Sequence, residues 1–234
     1  MSPEGSAILE HLQAVARERQ RRTADPALGE RVALVKRYQH ARFEKTYADL
    51  LADSRYHAAA RFFLDELYGP ADFSERDDQF GRIVPPLIRL FSVEIVKTVQ
   101  ALASLHALSE SLDTAMGIAL AEPRLDAGLY RRAWQAVGRR DDRELQVALM
   151  LQIGGALDHY TRSVLVRQSL RIMRAPARAA GLTPLQGFLE RGFEAFRTLR
   201  GASPFLDTVA GRERALATAL FSSPDDDAVL RQLP

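Results

Sequence analysis

Cysteine and asparagine are both absent from this chain of 234 residues. Without thiols the protein has no disulfides, no thiolate nucleophile and no cysteine-ligated zinc or iron–sulfur cluster. Without asparagine it has no N-glycosylation site and no Cys-His-Asn catalytic triad. Lysine is scarce, with 3 Lys against 29 Arg. This bias is typical of a GC-rich genome, and it also fits phosphate or carboxylate recognition, which Arg performs with two parallel hydrogen bonds.

Long apolar runs are missing as well. The longest stretch without Asp, Glu, Lys or Arg covers residues 145–157, whereas a membrane-spanning helix needs about 20 apolar residues. The first six residues lack the basic start and apolar core of a secretory signal. We therefore expect a cytoplasmic protein that makes no membrane contact. The net charge of +2 is too small to indicate an anionic partner by itself.

Helical periodicity runs through almost the whole sequence. Apolar residues recur three and four positions apart, and no sustained alternation of period two indicates a strand. The sequence predicts an all-α fold, a single bundle of about seven to nine helices without a sheet. We divide it into an N-terminal helix with a basic end (1–24), a helical bundle domain (25–222) and a short acidic tail (223–234).

Several local signals set the expected helix boundaries. Asp25-Pro26 and Ser203-Pro204 combine an N-cap side chain with proline at the first helical position. Asp72-Phe73-Ser74-Glu75 is a capping box that should begin a short helix. Pro85-Pro86 should break or kink this helix after Val84, and a long helix should follow as far as Leu120. Another helix is expected over residues 126–137, ended by Gly138. A second long helix is expected from Asp141 or Asp142 to about Arg174. Within it, Gly154-Gly155 indicates close approach to a neighbouring helix.

The motifs of common enzymes and metal sites are not found. The chain has no Gly-x-Gly-x-x-Gly, no P-loop, no Gly-x-Ser-x-Gly elbow and no His-Glu-x-x-His. No Glu stands three residues before any His, so the Glu-x-x-His of di-iron bundles is missing too. We predict no cofactor and no bound metal.

One polar cluster is a candidate site. His106, Glu110 and Asp113 share a helix face by their spacing, and His159 on the other long helix could face them. The simpler interpretation is a set of hydrogen-bonded pairs and a surface histidine. The alternative is a metal or acid–base site between two helices.

Two charge features are more pronounced. No acidic residue occurs between Asp158 and Glu190, yet this segment holds an arginine stripe with helical spacing: Arg167, Arg171, Arg174 and Arg178. The opposite feature is an acidic turn, which comprises Asp65, Glu66, Asp72, Glu75 and Asp77. The simplest hypothesis is that the two meet in a structural ion-pair network, so that Arg174→Ala lowers thermal stability. The alternative is an anion or nucleic-acid contact.

A family resemblance rests on two segments. Residues 61–77 contain Phe-Phe-x-x-Glu-Leu-Tyr-Gly followed by Asp-Phe-x-x-Arg-Asp, and residues 170–190 contain Leu-Arg-Ile-Met-Arg-Ala-Pro-Ala-Arg followed by Leu-Gln-Gly-Phe-Leu-Glu. In these sequence motifs the chain resembles a family of uncharacterised bacterial all-helical proteins, over roughly residues 55–221. The resemblance implies a helical fold and a bacterial origin, and it supplies no catalytic residue.

Three functional hypotheses follow. The leading one is a binding or regulatory protein whose partner is another protein or a small ligand inside the bundle; a homodimer is also compatible with the sequence. The second is an enzyme with a His/carboxylate site between long helices. The third is a protein that binds nucleic acid or a phosphorylated ligand through the arginine stripe. Nucleic acid is the least favoured partner, because the chain carries no recognised binding motif.

Overall fold

A computed structural model describes residues 2–67, 74–222, 231, 233 and 234 of the protein. About 85% of these residues are helical and none of them lies in a strand, so the predicted all-α class is confirmed. The α-helices are α1 (Pro3–Ala24), α2 (Pro26–Thr46), α3 (Ala48–Ala52), α4 (His57–Phe62), α5 (Ser74–Leu90), α6 (Val93–Ala119), α7 (Ala127–Val137), α8 (Arg140–Thr161), α9 (Val164–Ile172), α10 (Arg174–Ala179), α11 (Thr183–Leu199) and α12 (Ser203–Phe221). A short π-helical turn, Phe63–Leu67, follows α4 directly.

The described residues form more helices than the seven to nine predicted. The expected helix from Asp141 to Arg174 is divided into α8, α9 and the start of α10. α8 ends at Thr161, because the Ser163 hydroxyl accepts a hydrogen bond from Val166 N at 3.4 Å and so caps a new helix, α9. The predicted starts at Asp25 and Asp126 are confirmed, since both side chains cap the first turn of their helices. α12 begins at Ser203 as expected, but Ser203 is its first residue and not its N-cap, because Ala202 holds that position.

The two adjacent prolines do not end a helix. α5 runs through Pro85 and Pro86, and the boundary lies instead near Ser92, at the start of α6. Both prolines are exposed. Water can therefore hydrate the carbonyl groups that lose their amide partners, which makes this helix tolerable. The expected boundary at Pro85 was wrong for this reason, while the cap predicted at Asp72 lies outside the described residues.

The centre of the bundle is α6. It packs against α1, α2, α5, α7 and α8, and its buried positions occur on several sides rather than along one stripe. A helix that is apolar nearly all round is stable only inside a core. The α1 helix belongs to this core, since Ile8 packs with Phe80, Val84 and Val96. The division of the chain at residue 24 stays a prediction.

The aromatic residues predicted to be core are buried. Phe188, Phe193 and Phe196 on α11 are at most 7% exposed. A larger aromatic group joins α11 and α12 to the segment 57–67: the ring centroids of Phe62 and Phe188 are 5.5 Å apart, and Phe63 meets Phe205 edge to face at 5.3 Å. The Phe-Phe pair of the sequence motif is therefore part of the core.

The glycine pair in α8 makes two different contacts. A Cβ atom on Gly154 would lie 2.4 Å from one Leu206 methyl group on α12, whereas a Cβ on Gly155 would meet nothing within 4 Å. The predicted close approach is thus confirmed for Gly154 only. Leu206 is itself buried, so it has little room to move aside.

This contrast predicts opposite effects of the same substitution at neighbouring positions. Gly154→Ala should lower the free energy of unfolding by about 1–3 kcal/mol through overpacking. Gly155→Ala should raise it by roughly 0.5–1 kcal/mol, because alanine is the better helix former. Urea unfolding of both variants measures the difference. Equal effects of the two substitutions would contradict the assigned contact.

The C-terminus is attached to the bundle. Lys45 Nζ donates hydrogen bonds to the carbonyl oxygens of Arg231 and Leu233 at 3.1 and 2.6 Å. Leu233 is buried beside α2, α7 and α12. The acidic residues of the predicted tail, 225–227, lie outside the described residues. In the described part of the chain, no helix is both long enough and apolar enough to cross a membrane.

Candidate ligand cavity

A cavity of about 180 Å³ lies inside the bundle, between α6 and the helices around it. Along α6 its wall changes character: Val99, Leu102 and Leu105 come first, His106 follows directly after Leu105, and Glu110 lies one turn beyond His106. Polar residues on a central helix are costly unless they are paired. Their concentration in one half of α6 divides the cavity into an apolar end and a polar end.

The other helices repeat this division. α8 runs antiparallel to α6, as Gln146 Nε2 donates to Ser109 Oγ at 2.9 Å and Tyr160 OH bonds Thr98 Oγ1 at 3.1 Å. Its polar lining residues accordingly precede its apolar ones. The apolar end is lined by Phe63, Phe80, Val99, Leu102, Leu105, Val147, Met150, Leu185, Phe188 and Leu189. Glu66, three residues after Phe63, also lines the cavity, and its carboxylate pairs with Arg191 on α11. The polar end is lined by Lys36, Gln39, Arg42, His106, Ser109, Glu110, Asp113, Trp134, Arg143, Gln146 and Glu213.

Glu110 is the centre of one ion-pair network. Its two carboxylate oxygens accept hydrogen bonds from Arg22 NH2 and Lys36 Nζ, each at 2.5 Å. The Glu110 side chain is only 7% exposed. Burial raises the pKa of Glu110, but the charges of Lys36 and Arg22 outweigh burial and lower it to about 2. Glu110 is therefore ionised and held in place at neutral pH.

The pKa of Asp113, one turn further along α6, is displaced in the opposite direction. Its carboxylate lies 4.0 Å from Lys36 Nζ, too far for a strong hydrogen bond. Burial raises the pKa of Asp113, the negative charge of Glu110 adds to this, and Lys36 counteracts only part of it. Two neighbouring carboxyl groups thus have pKa values displaced in opposite directions. Such pairs are typical of acid–base sites, although structural networks produce them too.

His106 belongs to a second network, at the junction of the two ends. Asp77 Oδ2 accepts hydrogen bonds from His106 Nε2 at 2.7 Å and from Arg19 NH2 at 2.5 Å. Burial raises the pKa of Asp77, but its bonds to His106 and Arg19 prevail and lower it. A carboxylate that accepts from Nε2–H leaves the lone pair of a neutral imidazole on Nδ1.

A third group of polar residues closes the polar end. Arg42, on α2, forms an ion pair with Glu213 on α12, and Tyr47 OH donates to the same Glu213 oxygen at 2.7 Å. The Arg143 guanidinium lies 3.9 Å from the centre of the Trp134 ring, a cation–π distance. The indole Nε1–H of Trp134 is buried and has no acceptor among the described residues.

The candidate cluster of the sequence analysis is only partly assembled. His106, Glu110 and Asp113 line the cavity, as their shared helix face predicted. His159 does not: it is exposed, and its ring contacts Tyr160. It lies next to Tyr160, which is level with Thr98, so α8 places it about two helical turns away from His106 along α6. Within the described residues, no group of three or more His, Asp or Glu side chains is arranged to hold a metal ion. The absence of a metal stays a prediction.

The arginine stripe and the acidic turn do not meet in the described structure. Arg174 bonds Glu190 Oε1 on α11 at 2.6 Å, and Glu66 pairs with Arg191. Asp77 is used inside the bundle and Asp65 pairs with Arg61. Asp72 and the Glu75 side chain lie outside the described residues. The described residues do not support the hypothesis, because α9 and α10 lie over α11, which brings Glu190 to Arg174.

Exposure also changes the expectation for Arg174. Its side chain is 60% exposed, so its ion pair is solvated and contributes little to stability. The stripe itself is interrupted at Met173, between α9 and α10. The Arg174 pair is not buried, so the effect of Arg174→Ala on thermal stability should be small.

Sequence reasoning missed the partners that come from α1 and α2. Arg22, Lys36, Gln39 and Arg42 supply most of the cations and donors at the polar end. A signal was present, since Lys36, Gln39 and Arg42 recur every three residues beside the apolar stripe of α2. Such a polar row at the edge of a buried stripe indicates a polar feature in the core.

Fold and cavity together define a class: an all-helical bundle with an internal cavity that is apolar at one end and charged at the other. The chain belongs to the family described as Domain of unknown function (DUF8198), whose model matches residues 18–227. That match includes the segment that carried the sequence resemblance. No curated protein and no solved structure matches the chain.

Proposed function

We propose that the protein binds a small amphipathic molecule inside the bundle, with its apolar part between α6 and α11 and its head group at the polar end. The observation that carries this proposal is the division of one cavity wall into two chemically distinct ends. Ligand sites in proteins are mostly apolar with a few placed polar groups, and this cavity has that composition. The bacterial origin and the cytoplasmic location expected from the sequence remain part of the proposal.

The size of the cavity limits the ligand. An engineered cavity of about 150 Å³ binds benzene, and this one is about 180 Å³. The ligand should therefore be of the size of benzene or somewhat larger, with at most about ten non-hydrogen atoms. This supports a medium-chain or monocyclic amphiphile and argues against a nucleotide or a whole phospholipid.

The polar end favours a head group that accepts hydrogen bonds. The ion-pair networks around the polar end contain five cationic side chains, on α1, α2 and α8, and four carboxyl groups. The cations are Arg19, Arg22, Lys36, Arg42 and Arg143. The carboxyl groups are Asp77, Glu110, Asp113 and Glu213. Burial raises the pKa of Asp113, which favours its neutral form. The buried indole N–H of Trp134 also lacks an acceptor among the described residues. A carboxylate head group meets all three conditions.

The single tryptophan of the chain provides the test, because Trp134 lines the polar end. Octanoate, with ten non-hydrogen atoms, should change the fluorescence of Trp134 saturably and raise the melting temperature. Octylamine, of similar length and opposite charge, should bind more weakly. Val99→Phe, which fills the apolar end, should weaken octanoate binding by roughly tenfold or more, a change of about 1.4 kcal/mol.

Val93→Phe is the matched control, since Val93 is 55% exposed at the start of the same helix. This variant should bind octanoate like the parent protein. If both variants bind equally well, or if octylamine binds better than octanoate, the proposed site or the proposed head group is wrong.

A second candidate function is acid–base catalysis on the same ligand. The favouring observation is His106 in the cavity wall with Asp77 at 2.7 Å from Nε2, which leaves Nδ1 to accept a proton. In D₂O such a base would remove a proton from the carbon next to a ligand carbonyl and return a deuteron. Nuclear magnetic resonance of octan-2-one with the protein would detect this exchange, and His106→Gln should abolish it. Exchange that persists in His106→Gln would exclude His106 as the base.

A further inference from the structure

α9 and the start of α10 expose large apolar side chains. Leu165 and Ile172 are 74% and 73% exposed, and Val164 and Met173 are 55% and 42% exposed. Single exposed apolar residues are ordinary, but a contiguous group of this kind marks an interaction surface. No residue of α9 is buried. We call this surface, formed by Val164, Leu165, Arg167, Arg171, Ile172, Met173 and Arg178, the α9–α10 face.

The apolar residues share one side of α9. Leu165 and Ile172 are seven residues apart, which is two helical turns, and Val164 stands beside them. Arg171 follows Val164 by the same interval and lies next to this apolar strip. Arg167, one turn before Arg171, continues the basic border. The helix is therefore amphipathic, with an apolar strip and a basic border that both face solvent.

Little of the basic border is neutralised within the described structure. Arg167, Arg171 and Arg178 are exposed and form no ion pair with any residue that the structure describes. The pKa of Glu194 on α11 is lowered mainly by its hydrogen bond to Arg197, and the charge of Arg167 adds to this. The neighbouring Arg162 and Arg174 pair with Asp158 and Glu190. Since no acidic residue occurs between these two carboxylates in the sequence, the α9–α10 face has a net positive charge.

The opposite side of α9 is attached to the bundle. Gln186 Nε2 on α11 donates to the Leu170 carbonyl oxygen at 2.7 Å, and Glu190 holds Arg174. On the same helix, Leu189 is 37% exposed and also lines the apolar end of the cavity. The attachment orients the apolar strip outward and places it beside that end of the cavity.

We propose that the α9–α10 face docks on the surface of an anionic lipid bilayer, with Leu165 and Ile172 in the acyl–headgroup boundary and Arg167, Arg171 and Arg178 against lipid phosphates. Interfacial helices of this kind have an apolar face, a basic border and no need for a membrane-spanning length. The proposal departs from the expectation of no membrane contact, which rested on the absence of a spanning segment. It is independent of whether the cavity binds octanoate.

Charge and composition favour a bilayer over the other occupants. A twofold dimer through this face would place the arginine borders of two copies side by side, at a cost in repulsion. Nucleic acid would engage the arginines but leave Leu165 and Ile172 in water, and residues 164–178 contain no aromatic side chain on which bases could stack. An anionic bilayer satisfies the charges and the apolar strip together.

Vesicle co-sedimentation of the full chain tests the proposal. The protein should bind vesicles of phosphatidylcholine and phosphatidylglycerol and should not bind vesicles of phosphatidylcholine alone. Arg171→Gln with Arg178→Gln should weaken binding by about 25-fold, or about fivefold for each charge removed. Leu165→Gln with Ile172→Gln should weaken it by at least tenfold while the melting temperature is unchanged, because both residues are exposed.

The matched control is Leu145→Gln, an exposed leucine on α8 at 44% exposure, which should bind vesicles like the parent protein. The proposal is overturned if the parent protein ignores anionic vesicles or binds neutral ones equally well. It is overturned too if Leu165→Gln with Ile172→Gln converts a dimer into a monomer in sedimentation analysis and leaves vesicle binding intact. Salt-dependent binding of RNA or DNA that replaces vesicle binding would assign the face to nucleic acid instead.

Discussion

Replacing Glu110 by glutamine is expected to lower the free energy of unfolding by about 3 kcal/mol at neutral pH. Glutamine keeps the shape of the side chain but removes the charge that Arg22 and Lys36 share. Arg22 and Lys36 are then left mostly buried. Among the described residues, Lys36 has the Asp113 carboxylate 4.0 Å away, and Arg22 keeps only its hydrogen bond to the Thr114 hydroxyl at 3.0 Å. A buried ion pair is costly to break from one side, because the desolvation of the remaining charges is no longer compensated.

An exposed carboxylate on the same bundle is the matched control. Glu144 forms a bidentate pair with Arg214, but its side chain is 55% exposed. Glu144→Gln should change the free energy of unfolding by less than about 1 kcal/mol. Chemical unfolding of the two variants compares them directly, and equal losses would show that burial does not decide the contribution of Glu110.

The effect of Glu110 should also depend on pH. Its pKa is lowered from 4.5 to about 2 in the folded protein, so its contribution is fully present above about pH 4.5 and is lost as the pH falls toward 2. This displacement corresponds to about 3 kcal/mol. The difference in stability between the parent protein and Glu110→Gln should therefore narrow between pH 4.5 and pH 2. The raised pKa of Asp113 has the opposite effect on stability, because its protonation at falling pH favours the folded state. This effect is expected in the parent protein and in Glu110→Gln alike.

Truncation of Phe205 should have an effect of similar or greater size. Phe205 is 1% exposed, meets Phe63 edge to face at 5.3 Å and stacks on Tyr56 at 6.1 Å. Phe205→Ala removes these contacts and leaves a cavity that close-packed helices fill poorly, so the expected loss is about 3–5 kcal/mol. The urea midpoint of unfolding measures it, and it should fall without a change in slope.

Leu165→Ala is the control for Phe205→Ala, because Leu165 is 74% exposed. Its effect on stability should stay within about 0.5 kcal/mol. A loss below 1 kcal/mol for Phe205→Ala would mean that the aromatic contacts between α12 and the segment 57–67 do not hold these elements together.

The local features of the fold follow from short sequence signals. Asp25, Asp126 and Gly138 mark helix ends in the structure where their chemistry predicts them. These signals act over three or four residues, so the sequence contains everything that decides them. The division of the predicted long helix at Ser163 is a local effect as well, but a single serine in an apolar pattern is a weak signal compared with a proline or a glycine.

The polar end of the cavity could be predicted only in part. The shared face of His106, Glu110 and Asp113 is a property of one helix and was correct. Their partners depend on which helices are neighbours: Lys36 is 74 residues from Glu110 in the sequence, and Arg22 is 88 residues from it. The partner observed for Arg174 was missed for the same reason. Glu190 and the acidic turn are both negatively charged, and their charge does not show which of them lies beside Arg174.

The scarcity of lysine has a practical consequence for experiments in solution. Lys36, Lys45 and Lys97 lie in three separate surroundings: beside Glu110 in the cavity wall, at the docked C-terminus, and exposed on α6. Reductive ¹³C-methylation would label these three amines and the N-terminus. The resulting spectrum would have one side-chain signal for the cavity, one for the anchoring of the C-terminus and one internal reference. Occupancy of the cavity and release of the chain end could then be followed in a single sample, at separate frequencies.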